Sequence, residues 1–205
     1  MMMSLNMQFS VIMAVYNGDN SEYFDMAIKS LLDQTYLPSE IIVVIDGFIN
    51  DSLKQIVKKY EENKLFVFIK LRENKGLANA LNVGIENTKY DYIARMDSDD
   101  VSRPDRFAVQ SEFLDTHKDV AVIGAYIQEF SDICENLGVR KFPLDTDGAK
   151  KLIYKANPLA HPAVMMRKSM FDDGISYDEN YRTSQDLALW FDILTAGYNV
   201  ANIDK

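Results

Sequence analysis

The chain has 205 residues, with 22 lysines and arginines against 31 aspartates and glutamates, so its formal net charge is −9. This acidic balance argues against non-specific nucleic-acid binding, for which a basic surface must neutralise phosphates. Hydrophobic residues at 47% and charged residues at 26% exclude the composition of a disordered chain, and the length predicts one domain over residues 1–205.

The first half of the chain alternates short apolar runs with segments of helical spacing. The runs are predicted as strands at residues 9–15, 41–45, 65–71 and 92–96, and the first two are predicted to be buried. The segments between them are predicted as three helices, over residues 21–34 with Ser21 as the cap, around residues 53–60 and around residues 77–85. Strands that alternate with helices imply right-handed crossovers and a mostly parallel α/β sheet covered on both faces.

The alternation loosens after residue 96. A polar loop over residues 97–103 precedes Pro104, which suits the first turn of a helix that runs to about Thr116. A strand is predicted over residues 120–130, paired with residues 139–142. The remaining elements are predicted as a helix at residues 149–154, a strand at 163–166, a helix at 184–196 with Gly197 as its C′ residue, and a shortened strand at 199–205.

Polar and acidic side chains follow each of the first four predicted strands. In an open parallel sheet, ligands bind beyond the carboxyl ends of the strands. We therefore expect one binding edge. The residues that follow the four strands are, in order, Tyr16 and Asn17; Asp46; Arg72, Asn74 and Lys75; and Asp97, Ser98 and Asp99.

The segment Asp97-Ser98-Asp99 has the pattern of a cation site. Two carboxylates two residues apart on an extended segment point to the same side. Mg²⁺ or Mn²⁺ typically binds one or two protein carboxylates together with substrate phosphates, so the implied substrate carries a diphosphate. The alternative is a solvated acidic turn before the next helix, with Ser102 and Asp105 as a capping pair.

Other phosphate-binding motifs are absent from the sequence. It contains no Gly-x-x-x-x-Gly-Lys-Ser/Thr loop, and the turn at residues 16–19 is not a dinucleotide-binding glycine fingerprint. Asp46-Gly47 follows a strand as in aspartyl-phosphate phosphatases, but Val44 stands where those enzymes need a second acid. A covalent aspartyl intermediate is therefore not expected.

Six stretches of the sequence share a pattern with known enzymes. They are FSVIMAVYNG from Phe9, SLLDQTYLPSEIIVVIDG from Ser30, ENKGLANALNVGI from Glu73, YIARMDSDDVSRPDRF from Tyr92, HPAVMMRKS from His161 and TSQDLALW from Thr183. In this order they resemble family 2 of the inverting, nucleotide-sugar-dependent glycosyltransferases. The resemblance implies the Rossmann-like glycosyltransferase A fold, a nucleotide-sugar donor that is most often a UDP-sugar, and Mn²⁺ or Mg²⁺.

The resemblance also implies roles for single residues. Asp97 and Asp99 match the family's metal and diphosphate motif, and Asp46 matches the acid that contacts the nucleobase. Asp186 matches the catalytic base in the family's Glu-Asp pair. The nucleotide-binding turn after the first strand is matched by Ala14, Tyr16 and Asn17.

Three of the candidates keep a second interpretation. Asp186 also fits a capping box over residues 183–186. His161 matches a histidine common in this branch of the family and could be a metal or diphosphate ligand, but a hydrogen-bonded loop histidine is an equal alternative. Lys75, with Arg72 and Arg95, could offset diphosphate charge or be an ordinary surface cation.

Two positions depart from the family pattern. Ile45 stands where the family usually has the first of two aspartates, and Gln185 stands where it has the glutamate of the Glu-Asp pair. The first change would loosen nucleobase or ribose contacts, and the second removes a charge beside the expected base.

The sequence predicts a reducing, cytoplasmic location. Its longest strongly apolar stretches are far shorter than the roughly 20 residues that span a bilayer. The first residues, MMMSLNM, lack the features of a secretory signal, and Cys134, the single cysteine, cannot form an intramolecular disulfide. Peripheral association at the cytoplasmic face of a membrane is compatible with this prediction.

The expected reaction is an inverting, cation-dependent sugar transfer from a nucleotide sugar to a hydroxyl of a polysaccharide or lipid-linked glycan. Asp186 would accept the hydroxyl proton while the cation held by Asp97 and Asp99 neutralises the leaving diphosphate. The acceptor class is implied by the family, and a C-terminal segment on the acceptor side is expected to be missing. The rivals are a sugar-1-phosphate nucleotidyltransferase and a donor-binding scaffold domain with weak or no catalysis.

Overall fold

The computed structural model of the protein describes residues 6–131 and 135–204, so Cys134 lies outside the described residues. The strands are β1 (Ser10–Val15), β2 (Glu40–Ile45), β3 (Phe66–Lys70), β4 (Tyr92–Met96), β5 (Val120–Ala125), β6 (Ile127–Phe130), β7 (Asn136–Arg140), β8 (Met165–Arg167) and β9 (Asn199–Ile203). The α-helices are α1 (Ser21–Leu32), α2 (Asp51–Tyr60), α3 (Leu77–Glu86), α4 (Arg106–Thr116), α5 (Thr146–Leu152), α6 (Ser169–Asp172) and α7 (Gln185–Thr195), and a 3-10 turn covers His161–Ala163.

Seven strands form one mixed sheet in the order β3-β2-β1-β4-β8-β5-β9. The pairs β1–β2, β1–β4, β2–β3 and β5–β9 are parallel, whereas β8 runs antiparallel to both of its neighbours, β4 and β5. The mostly parallel sheet predicted from the alternation of strands and helices is confirmed. The carboxyl ends of β1, β2, β3 and β4 therefore share one edge.

Helices cover both faces of this sheet, as predicted. Alternate residues of a strand point to opposite faces, and in β1 Val11 and Met13 pack in one hydrophobic cluster while Ile12 packs in the other. The first cluster includes apolar residues of α1, α2 and α4, and the second includes those of α3, α5 and α7. Trp190 of α7 is completely buried in the second cluster.

The predicted strand over residues 120–130 is two strands. β5 is buried along its whole length, and the chain leaves the sheet at Tyr126, so that β6 forms a separate antiparallel hairpin with β7. Pairing of this segment with the chain beyond residue 131 is thus confirmed, although its partner is Asn136–Arg140 rather than residues 139–142. The strand predicted at residues 163–166 begins at Met165, because the chain first makes the 3-10 turn.

The helix caps differ from the predictions in two places and agree in a third. Asn20, not Ser21, caps α1, and its Oδ1 accepts from the backbone N–H groups of Glu22 and Tyr23 at 2.8 and 3.3 Å. The capping pair of Ser102 and Asp105 does not form: the Ser102 hydroxyl accepts from Gln34, and Asp105 makes no side-chain cap. The predicted role of Gly197 at the end of α7 is confirmed by its φ of +91°.

Across the described ranges, none of the helices combines the length and apolar character that crossing a membrane requires.

Candidate active site

Three carboxylates follow β4 and converge. Asp97, Asp99 and Asp100 can each offer one oxygen so that the three atoms lie within 4.8 Å of one another. Burial, together with the negative charges of Asp97 and Asp99, raises the pKa of Asp100 to about 6. Such crowding of like charges is relieved by a cation, and a set of hard carboxylate oxygens is what Mg²⁺ and Mn²⁺ prefer. These residues therefore fit the divalent metal implied by the sequence.

Two buried arginines lie beneath the carboxylates. Arg95, only 1% exposed, binds Asp97 through both terminal nitrogens, with Nη1 donating to Oδ2 at 2.6 Å and Nη2 donating to Oδ1. Arg106 donates to the backbone carbonyls of Arg95 and Val164 at 2.8 and 3.0 Å. Burial and the positive charge of Arg95 lower the pKa of Arg106 to about 9. The interpretation of Arg95 as a surface cation is wrong.

The turn after β1 is tied to the same carboxylate segment. Oδ2 of Asp19 accepts from the backbone N–H of Tyr16 at 3.0 Å and from the Ser98 hydroxyl at 2.9 Å. Burial raises the pKa of Asp19, and these hydrogen bonds partly offset the rise. The Tyr16 side chain is half-exposed and Asn17 is exposed, while Ala14 packs partly against the core. Tyr16 and Asn17 therefore face solvent at the edge predicted to bind ligand.

Asp46 is held within a turn of its own. Its Oδ1 accepts from the backbone N–H of Lys75 at 2.8 Å, and its Oδ2 accepts from that of Gly76 at 2.9 Å. Asp46 is only 3% exposed, whereas the Lys75 side chain is exposed, with its Nζ 3.8 Å from a carboxylate oxygen of Glu73. The turn thus joins β2 to the start of α3 and presents Lys75 to solvent.

A cleft of about 440 Å³ brings together residues that are distant in the sequence. Asp97 after β4 and Asp186 in the first turn of α7 both line it. We call it the Asp186 cleft. Its other walls are Leu77, Arg95, Ile127, Arg140, Phe142, residues 157 and 159–162, and residues 182–185.

A second cleft of about 640 Å³ lies on the far side of Ile127 and Pro162, which line both. We call it the Met26 cleft. Asp99 and Asp100 line it among mainly apolar neighbours that include Met26 and Val101. The acidic cluster therefore stands between the two clefts, and Asp46 lines neither.

The Asp186 side chain does not cap its helix. Ser184 is the N-cap residue of α7, with a left-handed φ of 60°, and its side chain makes no cap hydrogen bond to this helix. Oδ2 of Asp186 instead accepts from Nδ2 of Asn157 at 2.7 Å. The capping-box interpretation of residues 183–186 is wrong, because the carboxylate is engaged across the cleft wall.

His161 is a buried, hydrogen-bonded histidine. Its Nε2 lies 2.7 Å from the hydroxyl oxygen of Tyr177. Burial, and then the positive charge of Arg95, lower the pKa of His161 well below its usual value, so the imidazole is neutral at neutral pH. The cluster of metal-capable groups in the described residues does not include it. The arrangement matches the hydrogen-bonded alternative, and the metal role of His161 stays a prediction.

The two departures from the family pattern have different surroundings. Ile45 is 2% exposed and packs in the hydrophobic core, where a carboxylate would lose its hydration. Gln185 lines the Asp186 cleft, and its Oε1 is buried without a hydrogen-bond partner among the described residues.

Three residues of the site were missed from the sequence. Asp100 directly follows the predicted cation motif, so the run of acids was an available signal. The sequence carries no such signal for Asp19 and Asn157. Their roles depend on contacts between residues that are remote along the chain, Asp19 with Ser98 and Asn157 with Asp186.

Comparisons with known proteins agree with these features. The model of the family described as glycosyl transferase family 2 matches residues 10–175. The amylovoran biosynthesis glycosyltransferase AmsE of Erwinia amylovora is 32% identical over 195 residues, which cover 95% of this chain and 73% of that protein. The UDP-Gal:alpha-D-GlcNAc-diphosphoundecaprenol beta-1,3-galactosyltransferase of Escherichia coli is 29% identical over 198 residues, which cover 97% of this chain and 72% of that protein.

Solved structures share the fold. S. aureus TarS 1-349 in complex with UDP-GlcNAc matches with a TM-score of 0.74 at 21% identity, over 97% of this chain and 59% of that one. The mannosyltransferase PcManGT from Pyrobaculum calidifontis in complex with GDP-Man and Mn²⁺ matches with a TM-score of 0.73 at 15% identity, over 98% of this chain and 56% of that one. The chain thus spans a little over half of these two solved chains.

The likeness to the solved structures confirms the glycosyltransferase A fold, and the match to the family model extends over most of the sequence. The chain therefore belongs to glycosyl transferase family 2.

Proposed function

We propose that this glycosyltransferase is an inverting, divalent-cation-dependent enzyme. It transfers a sugar from a nucleoside diphosphate sugar to an acceptor hydroxyl, and the donor proposed first is a UDP-sugar. The observation that carries the proposal is the convergence of Asp97 and Asp186 in one cleft. Asp99 and Asp100 stand beside Asp97 within the reach of a single cation. One proposed cation ligand, Asp97, and the proposed proton acceptor, Asp186, thus face the same cleft.

The donor side of the proposal uses the carboxyl edge of the sheet. Asp97, Asp99 and Asp100 would hold the cation, which supplies charge neutralisation for the leaving diphosphate when bound. Asp100 joins the proposed ligands because it belongs to the cluster, and a metal role for His161 stays a prediction. The residues proposed to receive the nucleotide and diphosphate are Ala14, Tyr16, Asn17, Asp46 and Lys75.

The acceptor side uses Asp186. As the acceptor oxygen forms its bond to the anomeric carbon, Asp186 takes the hydroxyl proton and the bond from that carbon to the diphosphate oxygen breaks. A single displacement of this kind inverts the anomeric configuration. The position of Asp186 supports this role, because its carboxylate lines the cleft and accepts from Asn157 instead of capping its own helix.

The acceptor proposed is a polysaccharide or lipid-linked glycan. Support comes from the relatives, one named for amylovoran biosynthesis and one for transfer to a GlcNAc-diphosphoundecaprenol. Action at the cytoplasmic face of a membrane, with peripheral association, belongs to the same proposal.

A donor screen tests the proposed reaction. The purified protein is incubated with UDP-galactose, UDP-GlcNAc, UDP-glucose and GDP-mannose, each with Mn²⁺, Mg²⁺ or EDTA, and nucleoside diphosphate release is measured. We expect release from one donor, dependence on the cation and loss of release in Asp186→Asn. NMR of the first sugar product should show the inverted anomer.

Other outcomes would replace the proposal. Binding of donors without turnover would favour the donor-binding scaffold, the rival suggested by Ile45 and Gln185. Release of pyrophosphate from a nucleoside triphosphate and a sugar 1-phosphate would favour a nucleotidyltransferase. A retained anomeric configuration would exclude the single displacement.

A further inference from the structure

Asp186 has two competing partners at the start of α7. One is the group of backbone N–H donors at the helix N-terminus, which attract an acid in the first turn. The other is Asn157, whose Nδ2 donates to Oδ2 of Asp186 at 2.7 Å. Ser184, the N-cap residue, provides no side-chain acceptor for those N–H groups, so the helix end competes for the carboxylate.

The bond from Asn157 decides this competition. It is the only hydrogen bond that the described residues give to the Asp186 side chain. Because the bond engages Oδ2, the lone pairs of Oδ1 stay available to a donor in the Asp186 cleft.

The Asn157 side chain lowers the stability of the fold in this position. An ionised carboxylate accepts hydrogen bonds only, so the amide must turn Nδ2 towards Asp186. That orientation leaves Oδ1 of Asn157 buried with no partner among the described residues. An unpaired buried acceptor destabilises a protein, and a leucine of similar size would avoid it. The contact with Asp186 therefore explains the amide better than stability does.

We propose that Asn157 is a positioning residue that keeps the Asp186 carboxylate directed to the Asp186 cleft and away from the N-terminus of α7. The inference rests on the proposed function, in which Asp186 takes the acceptor proton. A general base acts only within hydrogen-bond reach of the proton it removes. A carboxylate that turned onto its own helix would leave donor binding intact and slow the transfer.

Asn157→Leu removes both the N–H donor and the unpaired oxygen. We expect kcat to fall about 10- to 100-fold, the range that misplacement of a reacting group produces, while the KM for the donor stays the same. The Tm should stay the same or rise. Asn157→Gln keeps an amide donor and should recover part of kcat. A purely structural role would instead lower Tm and leave kcat of the folded protein unchanged.

Asn79 provides a matched control. Its Nδ2 also donates to a carboxylate oxygen, Oε2 of Glu179 at 3.0 Å, but neither residue lines the Asp186 cleft. Asn79→Leu should therefore leave kcat at the wild-type value. An equal loss in both variants would show that the effect does not come from Asp186.

The variants are compared by UDP release from UDP-galactose and from UDP-GlcNAc with Mn²⁺ and water as the acceptor. Crystal structures of the wild type and Asn157→Leu give a second measurement that does not depend on the donor. In the variant, the Asp186 carboxylate should accept from backbone N–H groups of α7. Either an unchanged carboxylate position or an unchanged kcat overturns the inference.

Asp186→Asn separates this inference from the proposed function. If Asp186→Asn loses UDP release while Asn157→Leu keeps the wild-type rate, the positioning role fails and the proposed function stands. If Asp186→Asn itself keeps the wild-type rate, the proposed function fails. When the positioning role and the proposed function are both correct, adding Asn157→Leu to Asp186→Asn should slow UDP release no further, because the two residues act as a unit.

Discussion

At the scale of single residues, the acidic cluster after β4 contains carboxylates of unequal exposure. Asp99 is exposed, whereas Asp97 and Asp100 are half-buried and lie near the buried Arg95. Removing the charge of Asp99 should therefore disturb the fold least. It is the member of the cluster best suited to a test of cation binding.

Asp99→Asn should abolish the Mn²⁺-dependent part of donor affinity. The substitution removes one of three anionic ligands but keeps the size of an exposed side chain. Calorimetric titration of UDP with and without Mn²⁺ measures the difference. Asp105→Asn, an acid on the same loop but outside the cluster, serves as the control. Unchanged Mn²⁺-dependent affinity in Asp99→Asn would remove this residue from the proposed cation site.

Asp186→Asn should lower kcat by about 10²- to 10⁴-fold, the usual contribution of a positioned general base. The amide has the size of the carboxylate but cannot accept a proton at neutral pH, so donor affinity and Tm should stay near the wild-type values. Steady-state kinetics with the donor found in the screen, together with thermal unfolding, make the comparison. Near-normal kcat would exclude Asp186 as the base.

The sequence predicted the site residues that belong to motifs and missed those defined by contacts. Asp97, Asp99 and Asp186 stand in stretches that resemble the family, and the structure brings Asp97 and Asp186 to one cleft. Asn157 lies in no such motif. Its position beside Asp186 arises only when the segment before the 3-10 turn packs against the start of α7.

At the scale of elements, Asp25 joins α1 to α2. Its carboxylate accepts from Lys29 in α1 at 2.8 Å, and from Lys59 and Tyr60 in α2 at 2.7 Å each. Burial alone would raise the pKa of Asp25, but these three hydrogen bonds outweigh it and lower the pKa to about 2. Since the folded pKa is below the unfolded one, the contact stabilises the fold above about pH 4 and is lost as the pH falls towards 2.

Asp25→Asn should therefore lower the free energy of unfolding at pH 7 and have no such effect near pH 2. The pKa shift alone corresponds to about 2 kcal/mol, which solvent screening of these partly exposed groups reduces to about 1 kcal/mol. Urea unfolding at several pH values measures the difference. Asp115→Asn, which removes an exposed pair with Lys118, should show no comparable loss. A deficit independent of pH would contradict the electrostatic explanation.

The turn around Asp46 depends on Gly47. Gly47 has a φ of +80°, and a Cβ there would lie 2.5 Å from the backbone nitrogen of Asn74. Gly47→Ala should lower the free energy of unfolding by more than about 1 kcal/mol and weaken donor binding, because it displaces the N–H groups that hold Asp46. Gly174→Ala carries only the conformational cost, since its φ is +101° with no neighbour within 4 Å. Equal losses in both variants, measured by urea unfolding, would exclude the clash.

The elements that the sequence predicted best are those whose burial is uniform. The continuous apolar runs within β1 and β2 identify strands buried on both faces. The break at Tyr126 was missed because apolar residues continue across it into β6. The direction of β8 was missed because a three-residue strand carries no local signal of its pairing partner.

At the scale of the whole molecule, ligand binding and folding are linked. A ligand that binds only the folded state at 100 times its Kd adds about 2.7 kcal/mol to the free energy of unfolding. For a chain of this size, we expect Mn²⁺ with UDP to raise Tm by several degrees. EDTA should abolish the rise, which thermal unfolding measures. An equal rise in EDTA would show that the nucleotide binds without the cation.

The reversed strand β8 also affects how the molecule is made. It fills the space between β4 and β5, but Met165–Arg167 is synthesised after both neighbours. A nascent chain therefore exposes unpaired N–H and C=O groups along two strand edges until β8 leaves the ribosome. During that interval the growing polypeptide is open to edge-to-edge aggregation, and a stall in translation there prolongs the exposure.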